Sequence, residues 1–437
     1  MFFERPEAGR KAVLLHVNFK KPGAEGSADT AAECAELART ASIEVAQVVT
    51  TSRAAPHPRW YVGEGKLEEL AAVMAELEAD LLLVNHALSP GQQRNLEERL
   101  ECRVLTRTEL ILHIFADRAR TYEGKLQVEL AQLSHAQTRL VRGWTHLDRQ
   151  KGGIGLRGAG ETQLEMDQRM LSERIKNLQK KLITVARRRQ QGRRRRQRGH
   201  VRTVSLVGYT NAGKSTLFNA LTAADVMAED KLFATLDPTM RRLNVPGVGD
   251  VVLADTVGFI SNLPHSLVEA FKATLEEVAN ADLLLHVVDV SAEDADERVR
   301  QVESVLEEIG AQKIPTIMVL NKIDALQGSD PAGNFGGGRV AVPVSAKSGA
   351  GLAGLIEAIG ARLGVTAPTE VLLAPEEGKT RAWLYGIGAV LDEQIREDGS
   401  LALTLQADQD LLARLGRRTQ ASELEPAAFV APPVGGP

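Results

Sequence analysis

The first 115 residues alternate between short apolar runs and segments with helical spacing. AVLLHV, IEVAQVV, DLLLVN and CRVLTR are typical of strands, and helices are predicted between them over residues 28–41, KLEELAAVMAELE and SPGQQRNLEERL. Ser89 fits the N-cap of the last of these helices, with Pro90 at its first position. This alternation predicts an α/β layer built on a mostly parallel sheet.

Two long helices are predicted between residues 117 and 198. Mostly apolar stripes run along them at helical spacing, formed by Leu126, Leu130, Leu133, Gln137 and Leu140 and by Leu171, Ile175, Leu178, Leu182 and Val185. Such stripes form a coiled-coil seam, so an antiparallel hairpin is expected. Its tip is residues 143–160, too rich in glycine to be helical, and Thr162 with Glu165 fits a capping box that starts the second helix.

Residues 201–365 again alternate strand and helix, with residues 326–338 predicted to be a loop or a disordered insert. A smaller unit begins near residue 369, where the pattern predicts a strand (TRAWLYGI), a helix (AVLDEQIRE), a turn at Asp398-Gly399 and a strand (LALTLQ). These changes of pattern predict four domains, at residues 1–116, 117–199, 200–366 and 367–437.

The composition of the 437 residues is ordinary, with 43% apolar and 25% charged residues, and the net charge of −4 by itself predicts no nucleic-acid partner. Two cysteines, Cys34 and Cys102, show no metal or disulfide spacing and are expected to be reduced. The start MFFERPEAGRKAVLLHV contains early acids and no long apolar region, so no signal peptide is expected. No apolar run approaches the roughly 20 residues of a membrane span. A cytoplasmic protein is expected.

Basic residues are concentrated in two places. Eight arginines lie between Arg187 and Arg198 with no acid among them, which indicates either a nucleic-acid contact or a solvated linker. The hairpin tip is also basic, and the candidate RNA-contacting residues there are Arg142, Trp144, Arg149, Lys151 and Arg157. A basic, glycine-rich tip on a long arm suits contact with an RNA backbone and stacking of a base on the tryptophan, and a solvated helix turn is the alternative.

The segment TVSLVGYTNAGKSTLFNAL matches GxxxxGK[ST], with a buried strand before the motif and a helix after it. Glycines there let backbone N–H groups face phosphates, and the helix N-terminus adds partial positive charge. Lys214 is placed to reach the β- and γ-phosphates, and Ser215 to ligate Mg²⁺. The predicted nucleotide-binding residues are Gly208, Tyr209, Thr210, Asn211, Ala212, Gly213, Lys214, Ser215 and Thr216.

A second motif, Asp255-Thr256-Val257-Gly258, follows the strand-like run VVLA about 40 residues later. Asp255 is expected to hold Mg²⁺ through water, and the N–H of Gly258 to contact the γ-phosphate. In phosphate-hydrolysing switch proteins the next position often carries a glutamine that orients the attacking water. Here it is Phe259, which cannot hydrogen-bond to water. The predicted catalytic residues are Lys214, Gly258 and a threonine of the switch segment.

Two further motifs indicate that the base is guanine. NKID follows the strand TIMVL, and Asp324 is placed to accept two hydrogen bonds from the N1–H and amino group of guanine. Adenine lacks this donor pair, so the site would reject ATP. Asn321 is expected to contact the N7 edge and tie this loop to the P-loop, while Lys322 lays its aliphatic stem along the base. Ser345, Ala346 and Lys347 form the last motif, in which the Ala346 backbone can meet the guanine oxygen.

A switch segment, LFATLDPT, lies between the P-loop and Asp255. A threonine here is expected to complete the Mg²⁺ shell when GTP is bound and to leave it after hydrolysis. The residues alone leave Thr235 and Thr239 as equal candidates, with Phe233 and Ala234 beside the nucleotide. The motifs together predict a P-loop GTPase domain preceded by the α/β domain and the hairpin and followed by a small α+β domain.

GYTNAGKSTLFN, LFATLDPT, ADTVGFI, NKID and the upstream GGIGLRGAGETQLE together resemble the HflX family of ribosome-associated GTPases, over nearly the whole chain. The sequence departs from the family at Ala159, where proline is usual. The resemblance implies Thr235 as the switch threonine and a hydrophobic residue where Phe259 stands, hence slow hydrolysis until a partner orders the water. In some related GTPases an asparagine at the position of Asn211 holds K⁺; an ordinary P-loop residue is the alternative.

The resemblance further implies a function on the ribosome. Proteins of this family bind the large subunit and ribosomal RNA and split stalled or idle ribosomes, with the tip reaching toward the peptidyl-transferase region. We expect a monomer that binds GTP, GDP and Mg²⁺. Two rival functions remain: a GTPase for assembly of the large subunit, and an RNA-binding or unwinding factor that uses GTP as a regulator.

Overall fold

The computed structural model describes residues 11–19, 27–143, 159–198, 201–222, 232–233, 235–246, 248–260, 272–326, 340–363, 369–386, 389–396, 398–405, 415–416 and 425–426. Within these ranges the chain forms three separate β-sheets and a long helical hairpin. None of the helices in this described part of the chain combines the length and the apolar character that crossing a membrane requires.

The N-terminal sheet has four parallel strands in the order β2-β1-β3-β4. Its strands are β1 Lys11–Phe19, β2 Glu44–Arg53, β3 Leu81–Val84 and β4 Arg103–Thr106, and its helices are α1 Ser27–Thr40, α2 Glu64–Glu76, α3 Pro90–Leu100 and α4 Arg107–Arg118. All four residues of β3 are buried, because helices cover both faces of the sheet. The Ser89 cap predicted for α3 is confirmed, since its hydroxyl accepts from the N–H of Gln92 at 3.2 Å.

The hairpin consists of α5 Tyr122–Gly143 and α6 Ala159–Arg198. Its seam contains most of the predicted stripe residues, with Leu126, Leu133, Leu171, Ile175 and Leu178 buried and Leu130 and Leu182 packed against them. The capping-box prediction is wrong, because α6 begins at Ala159 and places Thr162 inside its first turn. Ala159 and Glu161 are strong helix formers, so the helix extends upstream of the predicted cap.

The central sheet has six strands in the order β10-β9-β8-β5-β7-β6, and only the β6–β7 pair is antiparallel. Its strands are β5 Thr203–Gly208, β6 Thr239–Val245, β7 Gly249–Asp255, β8 Leu283–Asp289, β9 Thr316–Asn321 and β10 Ala341–Pro343. Its helices are α7 Lys214–Thr222, α8 Lys272–Ala279, α9 Ala295–Glu308 and α10 Leu352–Leu363. The carboxyl ends of the parallel strands share one edge, where open α/β sheets bind ligands.

The C-terminal sheet is antiparallel, in the order β12-β13-β11-β14. Its elements are β11 Thr369–Leu373, α11 Gly378–Gly386, β12 Val390–Ile395, β13 Leu401–Leu405 and β14 Glu425–Pro426. Two predictions here are wrong: TRAWLYG is helical, and VLDEQI is a strand. The turn at Gly399 pairs β12 with β13, and β12 is mostly exposed, so its polar residues resembled a helix. The predicted fold class, including a small α+β unit at the end, is confirmed.

One buried apolar cluster joins the N-terminal and central units. It contains Leu110 and Phe115 from α4 together with Tyr209, Phe233 and Phe259 from the central unit. The rings of Phe115 and Phe233 pack edge to face with centroids 4.7 Å apart. The segments predicted to surround the nucleotide therefore contribute to the core between the two units.

Candidate nucleotide site

The P-loop runs from the end of β5 into α7, and two of its glycines are required by close contacts. A Cβ on Gly208 would lie 2.3 Å from the carbonyl oxygen of Val287, and one on Gly213, at φ 89°, would lie 2.3 Å from Nδ2 of Asn321. Both positions therefore exclude any side chain. The loop is held against β8 and β9, with the N-terminus of α7 at its end, where backbone N–H groups favour an anion.

Lys214 is the buried cation of this loop. Its ammonium group donates to the carbonyl oxygens of Gly208 at 3.1 Å and Tyr209 at 2.7 Å. Burial lowers the pKa of Lys214 from 10.5 to about 8, while the charge of Asp255 acts in the opposite direction. A phosphate placed beside this ammonium group would stabilise its charged form.

Three oxygen atoms converge at the start of α7. Asp255 Oδ2 accepts hydrogen bonds from the hydroxyls of Ser215 at 2.7 Å and Thr235 at 3.0 Å, and the two hydroxyls are 2.8 Å apart. Asp255 is fully buried, and within the described ranges its Oδ1 has no hydrogen-bond partner. Burial raises the pKa of the Asp255 carboxyl, and the bond from Ser215 opposes that effect.

This oxygen cluster fits Mg²⁺, which prefers hard oxygen ligands and is bound by few protein groups. A buried carboxylate with an unused oxygen is costly unless a cation or a water completes it. The structure also distinguishes the two switch threonines. Thr235 lies in the cluster, whereas Thr239 begins β6 and pairs with Asp255 along the backbone. The metal role of Thr235 stays a prediction.

Phe259 is joined to the P-loop through its backbone. Its N–H donates to the carbonyl of Gly208 at 3.1 Å, and its carbonyl accepts from the N–H of Thr210 at 2.7 Å. Its side chain is only 7% exposed and belongs to the cluster between the two units. The position that elsewhere carries a water-orienting glutamine therefore contributes to the core.

Gly258 lies against the P-loop, since a Cβ there would be 2.8 Å from Cγ2 of Thr210 and 2.9 Å from Nζ of Lys214. Thr256 and Val257, the other residues of this motif, are both buried. The Thr256 hydroxyl donates to the carbonyl of Leu206 at 2.6 Å, which fixes the end of β7 against β5. The motif is therefore anchored next to the lysine that it is predicted to assist.

The base-recognition residues form a connected set. Asn321 donates from Nδ2 to the carbonyl of Ala212 at 2.8 Å and accepts at Oδ1 from the N–H of Ala346 at 3.0 Å, so it ties the P-loop to the last motif. The Ser345 hydroxyl donates to Asp324 at 2.6 Å, and this bond lowers the pKa of the Asp324 carboxyl. Asp324 is therefore held ionised and oriented, as two hydrogen bonds from guanine would require.

The remaining predicted residues fall into three groups: exposed residues, a residue in an ion pair, and residues that the structure does not describe. Asn211 is exposed in a left-handed conformation at φ 61°, and Thr216 and Lys347 are also exposed. Lys322 forms an ion pair with Asp289 at 2.7 Å. Ala234, Trp144, Arg149, Lys151 and Arg157 lie outside the described residues, as does the side chain of Arg142 in the last turn of α5.

Several contacts around the site were not predicted from the sequence. The Tyr209 hydroxyl donates to Glu33 of α1, which also forms an ion pair with Arg107 at 2.6 Å. The Asp237 carboxylate accepts from the backbone N–H groups of Arg120 and Thr121. Each contact joins residues more than 70 positions apart, and no local pattern signals such a pairing.

The arginine run also has an intramolecular role. Arg193 pairs with Glu277 of α8 at 2.9 Å, and Arg189 lies 3.3 Å from Glu123 and 3.8 Å from Glu277. Glu277 is only 3% exposed. At least these two arginines therefore fix the second hairpin helix to the central unit. The sequence had suggested only a nucleic-acid contact or a solvated linker for this run.

The sequence matches four protein-family descriptions in order along the chain. They are the GTP-binding GTPase N-terminal domain at residues 28–116, the GTP-binding GTPase middle region at 118–196, the 50S ribosome-binding GTPase at 203–322 and the HflX C-terminal domain at 336–426.

Similar proteins cover almost the full length. GTPase HflX of Escherichia coli K12 is 53% identical over 92% of this chain and 95% of its own. GTPase HflX of Magnetococcus marinus is 47% identical over 90% and 92%. A crystal structure of a GTP-binding protein from Sulfolobus solfataricus in complex with GDP is 24% identical, with a TM-score of 0.45, over 81% of this chain and 98% of its own. The resemblance noted in the motifs is confirmed, and the chain belongs to the HflX family of GTPases.

Proposed function

We propose that this GTPase binds the large ribosomal subunit and uses GTP to split stalled or idle ribosomes into subunits. The observation that carries the proposal is the attachment of a long arm beside the nucleotide site. Helix α6 has 40 residues, which is about 60 Å of helix. Its basic end contacts α8 through Arg193, and Thr121, the residue before α5, contacts the switch segment.

The ribosome is the proposed partner because of similarity and charge. The 50S ribosome-binding GTPase description covers residues 203–322, and the relatives named above are HflX proteins. The predicted RNA contacts at the tip are Arg142, Trp144, Arg149, Lys151 and Arg157. Long-range attraction between basic side chains and phosphates would guide such an arm to ribosomal RNA. We further propose that the protein acts as a monomer in the cytoplasm.

In the proposed mechanism each motif has one role. Lys214 contacts the β- and γ-phosphates, and the N–H of Gly258 contacts the γ-phosphate. Ser215, Thr235 and, through water, Asp255 would hold Mg²⁺, which would neutralise the negative charge that develops during hydrolysis. Asp324 and Asn321 bind the guanine edges. GTP closes the switch segment on the metal site and sets the arm for docking, and hydrolysis permits release.

The residue after Gly258 does not orient the attacking water, because the Phe259 side chain is part of the core. We propose that the ribosome supplies the water-orienting group, so hydrolysis is slow in the free protein. The alternative is a K⁺ ion held at Asn211, which would supply positive charge beside the phosphates during hydrolysis. Hydrolysis by the free protein in Na⁺ instead of K⁺ distinguishes the two, since only the K⁺ mechanism predicts a loss of the basal rate.

The experiment that tests this function is light scattering of mature ribosomes mixed with the protein and GTP, together with sucrose gradients. We expect wild-type protein to convert ribosomes to subunits and Lys214→Ala to leave them intact. Binding only to precursor subunits would favour the assembly function. RNA unwinding that persists in Lys214→Ala would favour the RNA-remodelling function and contradict the proposal.

A further inference from the structure

The switch segment is held on both sides of Thr235 by the N-terminal part of the chain. On one side Phe233 is 2% exposed and packs against Phe115 of α4. Two residues after Thr235, Asp237 binds the chain where α4 ends and α5 begins. Thr235 therefore lies between two residues of the switch segment, Phe233 and Asp237, that contact parts of the chain outside the GTPase domain.

The Asp237 anchor is a helix cap supplied from a distance. Its Oδ2 accepts from the N–H groups of Arg120 at 2.9 Å and Thr121 at 2.8 Å, and its Oδ1 accepts from the Thr121 hydroxyl. These groups precede α5, whose first N–H groups have no partners within the helix. A carboxylate is favoured there by the helix dipole as well as by the hydrogen bonds.

Gly124 makes room for this carboxylate. A Cβ on Gly124 would lie 2.2 Å from Oδ1 of Asp237, a separation that real Cβ atoms do not show. The Gly124 N–H is itself capped by the Thr121 hydroxyl at 3.0 Å. The first turn of α5 is thus shaped to receive a side chain of the switch segment.

Thr235 occupies its closed position with these anchors formed. Its hydroxyl lies in the cluster with Ser215 and Asp255 described above. In a GTPase whose switch closes only around the γ-phosphate and metal, this position is gained on binding GTP and lost afterwards. Contacts that favour the closed position before GTP binds would raise the affinity for GTP in particular.

We infer that Asp237, Thr121 and Gly124 are positioning residues that hold Thr235 in the metal site and so favour GTP over GDP. The inference rests on the proposed role of Thr235. By linkage, GTP then strengthens the cap on α5 and the attachment of the arm. The N-terminal part of the chain would thus influence the choice between GTP and GDP through the position of Thr235, without contacting the nucleotide itself.

The test is a comparison of affinities for GDP and a non-hydrolysable GTP analogue, with Mg²⁺, in full-length variants. Gly124→Ala and Thr121→Val are expected to weaken binding of the analogue roughly tenfold, the effect of losing a hydrogen bond to a charged group. Their affinity for GDP stays within about twofold of the wild type, because Thr235 has no γ-phosphate to contact in that complex. Thr121→Ser, which retains the hydroxyl, restores the ratio of the two affinities.

Two further variants complete the test. Gly192→Ala is the matched control, since the same change in the other hairpin helix meets nothing within 4 Å, and it should leave the ratio unchanged. Thr235→Ala should lower the ratio if the proposed metal role is correct. A lower ratio in Thr235→Ala with wild-type ratios in Gly124→Ala and Thr121→Val overturns the inference alone. An unchanged ratio in Thr235→Ala overturns both the site assignment and the inference.

A loss of stability alone would not produce the expected change in the ratio of the affinities for the GTP analogue and GDP. Thr121→Val also removes the cap on Gly124, so a lower melting temperature is expected for that variant. A partly unfolded protein loses GDP and GTP binding together, which leaves the ratio unchanged. An equal loss for both nucleotides in folded protein therefore contradicts the inference.

Discussion

The backbone carbonyl of Phe259 accepts a hydrogen bond from the N–H of Thr210 at 2.7 Å, so the end of the DTVGF motif is fixed to the P-loop. The bond between the Phe259 N–H and Gly208 fixes the same residue from its other side. Because both backbone groups are held, the side chain at this position is committed to the core between the two units. A glutamine at this position would therefore be directed into the core, so simple replacement is not expected to supply a water-orienting group.

Phe259→Gln is expected to leave the basal rate of GTP hydrolysis within about twofold and to destabilise the protein by about 3 kcal/mol. The amide would be buried among apolar groups instead of reaching the water. Turnover without ribosomes and thermal unfolding measure the two effects, with Phe259→Leu as an apolar control of nearly unchanged rate. A rate increase of tenfold or more in the glutamine variant would contradict this account.

Glu277 is 3% exposed, and its partner Arg193 joins α6 to α8. Arg193→Ala leaves the buried carboxylate without its closest partner, so the free energy of unfolding should fall by about 3 kcal/mol. Arg300→Ala is the matched control, because its pair with Glu297 is largely exposed and should contribute less than about 1 kcal/mol. Chemical denaturation measures both. Equal effects of the two changes would contradict a structural role for the arginine run.

Asp324→Asn is expected to change the base specificity of the site from guanine to xanthine. Guanine offers the donors N1–H and an amino group, which a carboxylate accepts, whereas xanthine carries a carbonyl oxygen in place of the amino group. An asparagine amide can donate to that oxygen, so affinity should fall by about a hundredfold or more for GTP and rise for xanthosine triphosphate. Competition binding with both nucleotides measures the exchange. Undiminished GTP affinity would place the base elsewhere.

The buried ammonium group of Lys214 makes stability depend on pH. Burial lowers its pKa to about 8 in the folded protein without nucleotide, against 10.5 in the unfolded chain. The unfolded state therefore binds more protons at Lys214 between these values, so the contribution of this residue to stability is least favourable below pH 8 and becomes more favourable toward pH 10.5. The difference in unfolding free energy between wild type and Lys214→Met should change by about 3 kcal/mol across this window. A difference independent of pH would show that the lysine is not desolvated.

Sequence patterns predicted that the motifs lie close together because each follows a buried strand, and parallel strands bring their carboxyl ends to one edge of the sheet. Thr235 and Thr239 were indistinguishable by spacing, and the difference arises because β6 begins at Thr239 and pairs with β7. Residues 378–395 were assigned wrongly because an exposed edge strand and a short helix carry similar polar patterns. Turn chemistry at Asp398-Gly399 was the better guide there.

Contacts between distant segments were beyond prediction from one sequence. Glu33 looks like an ordinary acid on an alanine-rich helix, yet it accepts from Tyr209 in the P-loop. Asp237 lies in a switch motif, but its partner Thr121 is a residue between two helices. Hydrophobic periodicity reports which face of an element is buried and carries no information about which other element covers it.

The measurement that tests the central claim most directly is steady-state GTP hydrolysis in K⁺ buffer, with and without purified large ribosomal subunits. The account predicts a low basal rate and a stimulation of about tenfold or more, because the ribosome completes the site that Phe259 leaves without a water-orienting group. A rapid basal rate that large subunits do not increase would contradict it, since the missing group would then be supplied within this chain.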